Sequence, residues 1–425
     1  MKKIYTRYMS GGSLLLIATV IVNVCNFIFN AYLGRVLTFE QFGIITLINT
    51  LWYITLIPVN ALYTTVNHRV AFLTSNENTQ ESLHFLHNTK RRNLFISIFI
   101  SVCFLIAVPI TDRFFQIHNY FITFLFTPMI TFGIITAINK GFLQGIFNFK
   151  SVALIIIFEA ISKLIFAFLF VGVKMSSWAF ISLPLSAGFA FLLSFYFIAP
   201  QKSTQIQPIS YRFPSKFFSA AIITGLSSIA FLSVDVILAK HFLPPVDAGK
   251  YAFLSLIGKM VYFFGTLPSL LMVTFVSRDL GKKRNPNSTF YKLFSLAVLL
   301  TMSVFILVGP LGNLFIPLLF GSKAVTILPY LTLYSTAIMF FTLSSCFVTY
   351  YLARQRYFFS ILAIFIAVVM CVGISLFHNG IDQIIHVIFV TSIFSLSIFV
   401  FSHILETFYS IKPNKTFISQ TLVTQ

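Results

Sequence analysis

The chain has 425 residues, 58% of them hydrophobic and only 9% charged, with a mean hydropathy of +0.92 and a formal net charge of +19. Soluble domains carry about a quarter charged residues, so these proportions exclude a water-soluble protein. The positive charge would suit nucleic acid, but no base-stacking or groove-reading module accompanies it.

Apolar runs of about 20 residues, the length that crosses a bilayer's hydrocarbon core, predict twelve transmembrane helices. They lie at 12–33, 44–65, 94–111, 121–138, 152–173, 178–199, 217–239, 251–276, 293–309, 325–350, 358–377 and 383–405. The connections are too short to hold a separate folded domain. Basic residues precede the first run, as in a signal peptide, but the run is too long and lacks a small-x-small cleavage site, so it reads as a retained first helix. The longest loop begins at Asn76 and predicts a short surface helix; its His84 and His87 have no third metal ligand nearby. Cys25, Cys103, Cys346 and Cys371 all fall inside spans without paired spacing. They read as small buried side chains, and no metal site is expected.

Lys and Arg are split unevenly along this layout. Of 29, 21 fall in the tails and alternate loops on the side of the N-terminus, six fall in the opposite loops, and Lys163 and Lys259 lie inside spans. The positive-inside rule then places both termini in the cytoplasm, in an inner or plasma membrane. The runs at Lys90–Arg92 and Lys282–Arg284 adjoin span ends, where anionic lipid head groups are the expected partner and nucleic acid is not.

The chain also repeats itself. "NAYLGRVLTFEQFGIITLI" from Asn30 lies on "DVILAKHFLPPVDAGKYAFLSL" from Asp235, and both copies continue through a proline, Pro58 or Pro268, to an arginine, Arg69 or Arg278. "FLQGIFNFKS" ending at Ser151 echoes "YLARQRYFFS" ending at Ser360, a shift of 209 residues. Six helices separate the copies, so the halves share one orientation. The expected layout is a six-helix bundle over 1–200, a cytoplasmic linker at 201–216, a second bundle over 217–405 and a tail at 406–425. In transporters with such parallel repeats the substrate site lies near mid-membrane.

"YLGRVLTFEQFGIITLINTL", "GFLQGIFNFKSVALIIIFEAISKL", "DVILAKHFLPPVDAGKYAFLSLIGK" and "IPLLFGSKAVTILPYL" resemble recurring segments of the polysaccharide biosynthesis flippases. These are the O-antigen and teichoic-acid exporters of the multidrug/oligosaccharidyl-lipid/polysaccharide (MOP) superfamily. The resemblance implies an all-α polytopic membrane protein of two parallel six-helix bundles in a V-shaped, MATE-like arrangement. It implies export of a polyprenyl-diphosphate-linked oligosaccharide to the outer leaflet by alternating access, with no bond made or broken. No cofactor is implied beyond a coupling proton or Na+. The implied partners are the lipid-linked glycan and other membrane proteins of polysaccharide assembly.

Two other function classes make different demands. A multidrug antiporter of the same superfamily needs unpaired carboxylates for organic cations. A membrane glycan polymerase or ligase needs paired acids, whereas Glu40, Asp112, Asp247 and Asp382 are scattered one to a loop. No ATP-binding motif is present.

The candidate site residues are those that cost most to place in lipid. Charges at a bilayer centre cost about 2.5–3.5 kcal/mol each even on lenient scales. Glu159 and Lys163 stand i, i+4 in the favoured order, so they neutralise each other on one helix face. Two readings stay open: a structural pair, or a cavity pair in which Lys163 meets a diphosphate and Glu159 carries a proton. Lys259 has no acid within a turn and sits nine residues inside Lys250, about 13 Å down a helix, which points to a cavity-facing anion binder. Asn23, Asn26 and Asn30 form one stripe and, with Asn60, are candidates for sugar contact or for interhelical hydrogen bonding. Asp235, close enough to Lys240 or Lys250 to pair at the surface, is read as a structural, gate or cation-coupling residue.

In a cysteine-free background, cysteines placed by Thr79→Cys and Pro286→Cys should react only with reagents on the cytoplasmic side, and Asn119→Cys only from outside. Labelling of positions 79 and 119 from one face would contradict twelve spans.

Overall fold

Within hydrocarbon every backbone N–H and C=O must be bonded inside its own segment, which leaves helices as the open-chain solution for runs this apolar. The computed structural model describes residues 2–36, 39–76, 78–115, 120–173, 175–199, 213–320 and 322–411, and among them all regular structure is helical. Ten helical stretches among the described residues are long and apolar enough to cross a membrane, and Gly12–Asn26 is a shorter apolar stretch. The expected spans 12–33 and 44–65 fall on the first two helices. The chain is a multi-pass, all-α membrane protein.

The described chain clusters into two compact units. Unit 1 runs to Pro214 and also takes in Ser277–Lys283, while unit 2 comprises Ser215–Val276 and the residues from Arg284.

Unit 1 contains α1 (Lys2–Val36), α2 (Phe39–Ser75), α3 (Thr79–Phe115), α4 (Tyr120–Gly145), α5 (Phe149–Gly172) and α6 (Ser182–Ile198). The surface helix expected after Asn76 and the third span are one continuous helix, α3, because no Gly or Pro interrupts the chain until Pro109. The core gathers Phe29, Leu33, Phe126, Met129, Ile130 and Phe180.

α4 approaches α2 along a seam of glycines. A Cβ at Gly141 would stand 2.6 Å from the Tyr63 carbonyl oxygen, one at Gly145 2.7 Å from Val70 Cβ, and one at Gly133 would strike the Trp52 ring. Helices in lipid associate by close backbone approach at small residues spaced four apart. The "LQG" segment is therefore a packing seam. Beside it the Tyr63 hydroxyl donates to Gln144 Oε1, and Asn139 Nδ2 donates to Ser194 Oγ at 2.8 Å.

Unit 2 begins with α7 (Ser215–Ile229), a π-turn at Ala230–Val234 and α8 (Asp235–Phe242). The expected eighth span is divided into α9 (Pro245–Gly258), α10 (Met260–Gly265) and α11 (Ser269–Gly281), with breaks at Lys259 and at Thr266–Pro268. Pro268 has no N–H to continue the ladder, which accounts for the second break. Then follow α12 (Asn287–Val308), α13 (Gly312–Phe320), α14 (Leu328–Ala353), α15 (Phe358–Leu376) and α16 (Ile381–Ile411).

The internal repeat is visible in the backbone. The α4–α5 turn carries Phe147 at φ 64°, and the α14–α15 turn carries Gln355 at φ 60°, one position off the 209-residue sequence register; both are left-handed conformations uncommon for side-chain-bearing residues. The end of α11, which belongs to unit 1, meets α2 through residues 209 positions apart. His68 Nδ1 and Ser277 Oγ are 2.7 Å apart, and a Cβ on Gly281 would lie 2.7 Å from the Phe72 carbonyl oxygen.

Gly141→Leu should cost about 1–3 kcal/mol or more by overpacking the α2–α4 seam. Membrane abundance and the melting temperature of purified protein should both fall. Gly172→Leu is the control, since a Cβ there meets nothing within 4 Å.

Candidate functional site

Two clusters hold the charges that the sequence places in the membrane, a half-buried one in unit 1 and a buried one in unit 2.

In unit 1 the centre is α5. Lys163 reaches α1, where its ammonium donates to Asn26 Oδ1 and stands 4.7 Å from the centre of the buried Phe29 ring. The amide oxygen and the ring's negative face both favour a cation without neutralising it. Glu159 faces α4 instead, with Oε2 3.9 Å from Lys140 Nζ and both side chains partly exposed. Glu159 and Lys163 are not in direct contact, Glu159 leaning toward Lys140 and Lys163 toward Asn26, but the Glu159 carboxylate still acts on Lys163 through its charge. Together Lys140, Glu159 and Lys163 carry a net charge of +1.

In unit 2 the centre is Asp235, whose side chain is 1% exposed, paired with Lys259, 7% exposed. Lys259 Nζ donates to Asp235 Oδ1 at 2.9 Å and to the Leu232 carbonyl oxygen in the π-turn at 3.0 Å. Tyr251 and Tyr334 each donate a hydroxyl to Asp235 Oδ2 at 3.0 Å, and Ser255 Oγ lies 3.1 Å from the Tyr334 hydroxyl. A buried ion pair survives its desolvation cost only when further hydrogen bonds satisfy the remaining lone pairs, and this carboxylate accepts on both oxygens. Gly258 permits the arrangement, because a Cβ there would collide with the Tyr334 ring.

Two expectations about these residues are corrected. The sequence shows no acid within a turn of Lys259, and its partner is Asp235, 24 residues earlier. Asp235 was placed near the surface beside Lys240 or Lys250; it is fully buried, and Lys250 pairs with Asp247 at 2.9 Å. The side chain of Lys240 lies outside the described residues, as does that of Asn30. Asn23 and Asn60 are exposed on α1 and α2, and Asn26 is half-buried against Lys163. His84 takes a 2.7 Å hydrogen bond with Asn88, and no group of three metal-ligating side chains occurs among the described residues.

Lys140, Tyr251, Tyr334 and the Leu232 carbonyl escaped the sequence reading. One signal for part of this set was present: Tyr251, Ser255 and Lys259 recur every four residues, a polar stripe aimed at one neighbour. Nothing local marks Tyr334, 99 residues from Asp235.

No protein-family model matches the chain, and no curated protein matches it. Solved structures do resemble it in fold. An outward-facing multidrug resistance MATE family transporter of the MOP superfamily aligns with TM-score 0.73 and 13% identity over 96% of each chain. A MATE in complex with MaD5 gives TM-score 0.75 and 12% identity over 92% of this chain and 94% of the other. A MOP superfamily transporter from Pyrococcus furiosus, described with a binding pocket of reverse polarity that suggests a different function, gives 0.69 and 14% over 93% and 95%. At such identities the likeness establishes the fold, that of MATE-type transporters.

Tyr251→Phe and Tyr334→Phe should each lower stability by about 1.5–3 kcal/mol, the range for a hydrogen bond to a charged group. The double variant should lose more than either single one, as read from melting of detergent-purified protein. Melting temperatures unchanged in all three variants would contradict the network.

Proposed function

We propose that the chain is a flippase that moves a polyprenyl-diphosphate-linked oligosaccharide from the cytoplasmic to the outer leaflet by alternating access. The fold of an exporter supports the coarse part of this reading. The single observation that carries the finer part is the surplus positive charge in unit 1, where Lys163 is held by the Asn26 amide and one glutamate serves two lysines.

An ammonium so placed is available to a phosphate oxygen, for which Lys is an established point-charge partner. Glu159 then holds the coupling proton or responds to Na+, because its carboxylate is the charge that an arriving diphosphate opposes. Asn23, Asn30 and Asn60 supply amide contacts to sugar hydroxyls, and Asn26 is shared between glycan and Lys163. Asp235 with Lys259 acts as a gate element, and the sequence expectation that Lys259 meets the diphosphate gives way to Lys163 as principal anion contact.

Export of organic cations is disfavoured by the same charges: Asp235 is matched by Lys259 and Glu159 by Lys140. The Pyrococcus furiosus neighbour, with its pocket of reverse polarity, supports treating pocket polarity as a variable of this fold. The reading includes no bond-making chemistry, cytoplasmic termini, anionic lipids around the basic loop ends, and assembly partners at the membrane.

Lys163→Gln keeps hydrogen bonding and removes the charge, while Lys163→Arg keeps the charge. Losing a charged hydrogen bond worth about 1.5–3 kcal/mol should reduce substrate engagement about 10–100-fold. Uptake of a lipid-linked glycan into everted vesicles, normalised to protein level, should collapse for Gln and be partly kept for Arg. Wild-type uptake by the Gln variant would sink the reading.

A further inference from the structure

Lys140, Glu159 and Lys163 stand at successive depths beside the α4–α5 turn, about 7.5, 15 and 21 Å from the helix ends at Gly145 and Phe149. Side chains on a helix lean toward its N-terminus, so Lys140 on α4 leans away from the turn, and Glu159 and Lys163 on α5 lean toward it. Lys140 and Glu159 therefore meet part-way, with Nζ and Oε2 3.9 Å apart. Lys163 reaches the Asn26 amide and the Phe29 ring on α1, while the Glu159 carboxylate still acts on it through its charge. One negative group thus lies between two positive ones. With no other partner in reach, an i, i+4 Glu–Lys pair on one helix closes on itself. Lys140 is the partner that α4 supplies against that closure.

We infer that Lys140 is a positioning residue: it holds the Glu159 carboxylate off Lys163 and so keeps the Lys163 charge open to a diphosphate. The identity of that anion rests on the function proposed above, whereas the competition of the two lysines for Glu159 does not. The side chains of Lys140 and Glu159 are 23% and 33% exposed, and a partly exposed pair at this distance is weak. Glu159 is therefore able to change lysines. Removing Lys140 returns the carboxylate to Lys163, which neutralises the anion contact without altering it. Lys140 sets the affinity of the site from one helix away.

Two measurements on detergent-purified protein test this. The first uses no ligand: melting of Lys140→Gln, Lys163→Gln and the double variant, each repeated in a Glu159→Gln background. While either lysine remains, Glu159 keeps an ammonium partner, so the double variant should lose about 2–4 °C more than the two single losses together. That excess should vanish in the Glu159→Gln background. Additive losses with Glu159 present would overturn the inference. So would an excess that persists with Glu159→Gln, since it reports direct repulsion between the lysines. The second measurement titrates farnesyl diphosphate, a short polyprenyl diphosphate. Lys140→Gln should weaken its binding about 3–5-fold, Lys140→Arg should retain most of it, and Lys140→Gln/Glu159→Gln should restore it. Unchanged binding by Lys140→Gln, or a loss that Glu159→Gln does not restore, would equally overturn the role of Lys140. A wild type that binds no farnesyl diphosphate would instead contradict the proposed substrate, and the melting cycle then decides the role of Lys140 by itself.

Discussion

A charge inside the membrane has to bring its own partner, and the arrangement of this chain follows from how each charge meets that demand. Asp235 and Lys259 meet it completely: the carboxylate accepts from an ammonium and two phenols, and the ammonium also reaches a main-chain oxygen. Breaking such a pair from one side costs about 3–5 kcal/mol, so α8, α9 and α14 are held to one arrangement in unit 2. The helix break at Lys259, the π-turn before Asp235 and the bare Cα of Gly258 are the local departures from regular helix that this one interaction requires.

Unit 1 meets the same demand less completely, and the proposed function starts from that difference. Lys163 directly contacts an amide and an aromatic face, while Glu159, which acts on it through its charge, leans toward Lys140. Unit 2 is internally neutral at its buried pair; unit 1 keeps a surplus positive charge. On the function proposed above, that surplus is the charge that the diphosphate of a lipid carrier would meet.

Much of the fold was legible because membranes make sequence simple. Run length fixes spans, and the turn after α4 and the turn after α14 advertise themselves as copies at a shift of 209. The same shift recurs where His68 meets Ser277. Breaks within helices were less legible: α9, α10 and α11 read as one apolar run because hydropathy does not register a lost backbone bond. The site was legible in its residues and not in its pairings. Glu159 and Lys163 obey the i, i+4 rule on paper, yet their direct contacts are Lys140 and Asn26 on neighbouring helices. Asp235 and Lys259 are 24 residues apart with a turn between them, beyond the reach of any single-helix rule.

Direct binding to purified protein separates the two substrate polarities most cleanly. A polyprenyl diphosphate and a lipophilic organic cation such as tetraphenylphosphonium would be titrated in parallel, at low and high salt. Saturable binding of the diphosphate lipid, weakened by salt, with no saturable binding of the cation, is the result expected from a surplus positive site. Saturable binding of the cation without the diphosphate would contradict it.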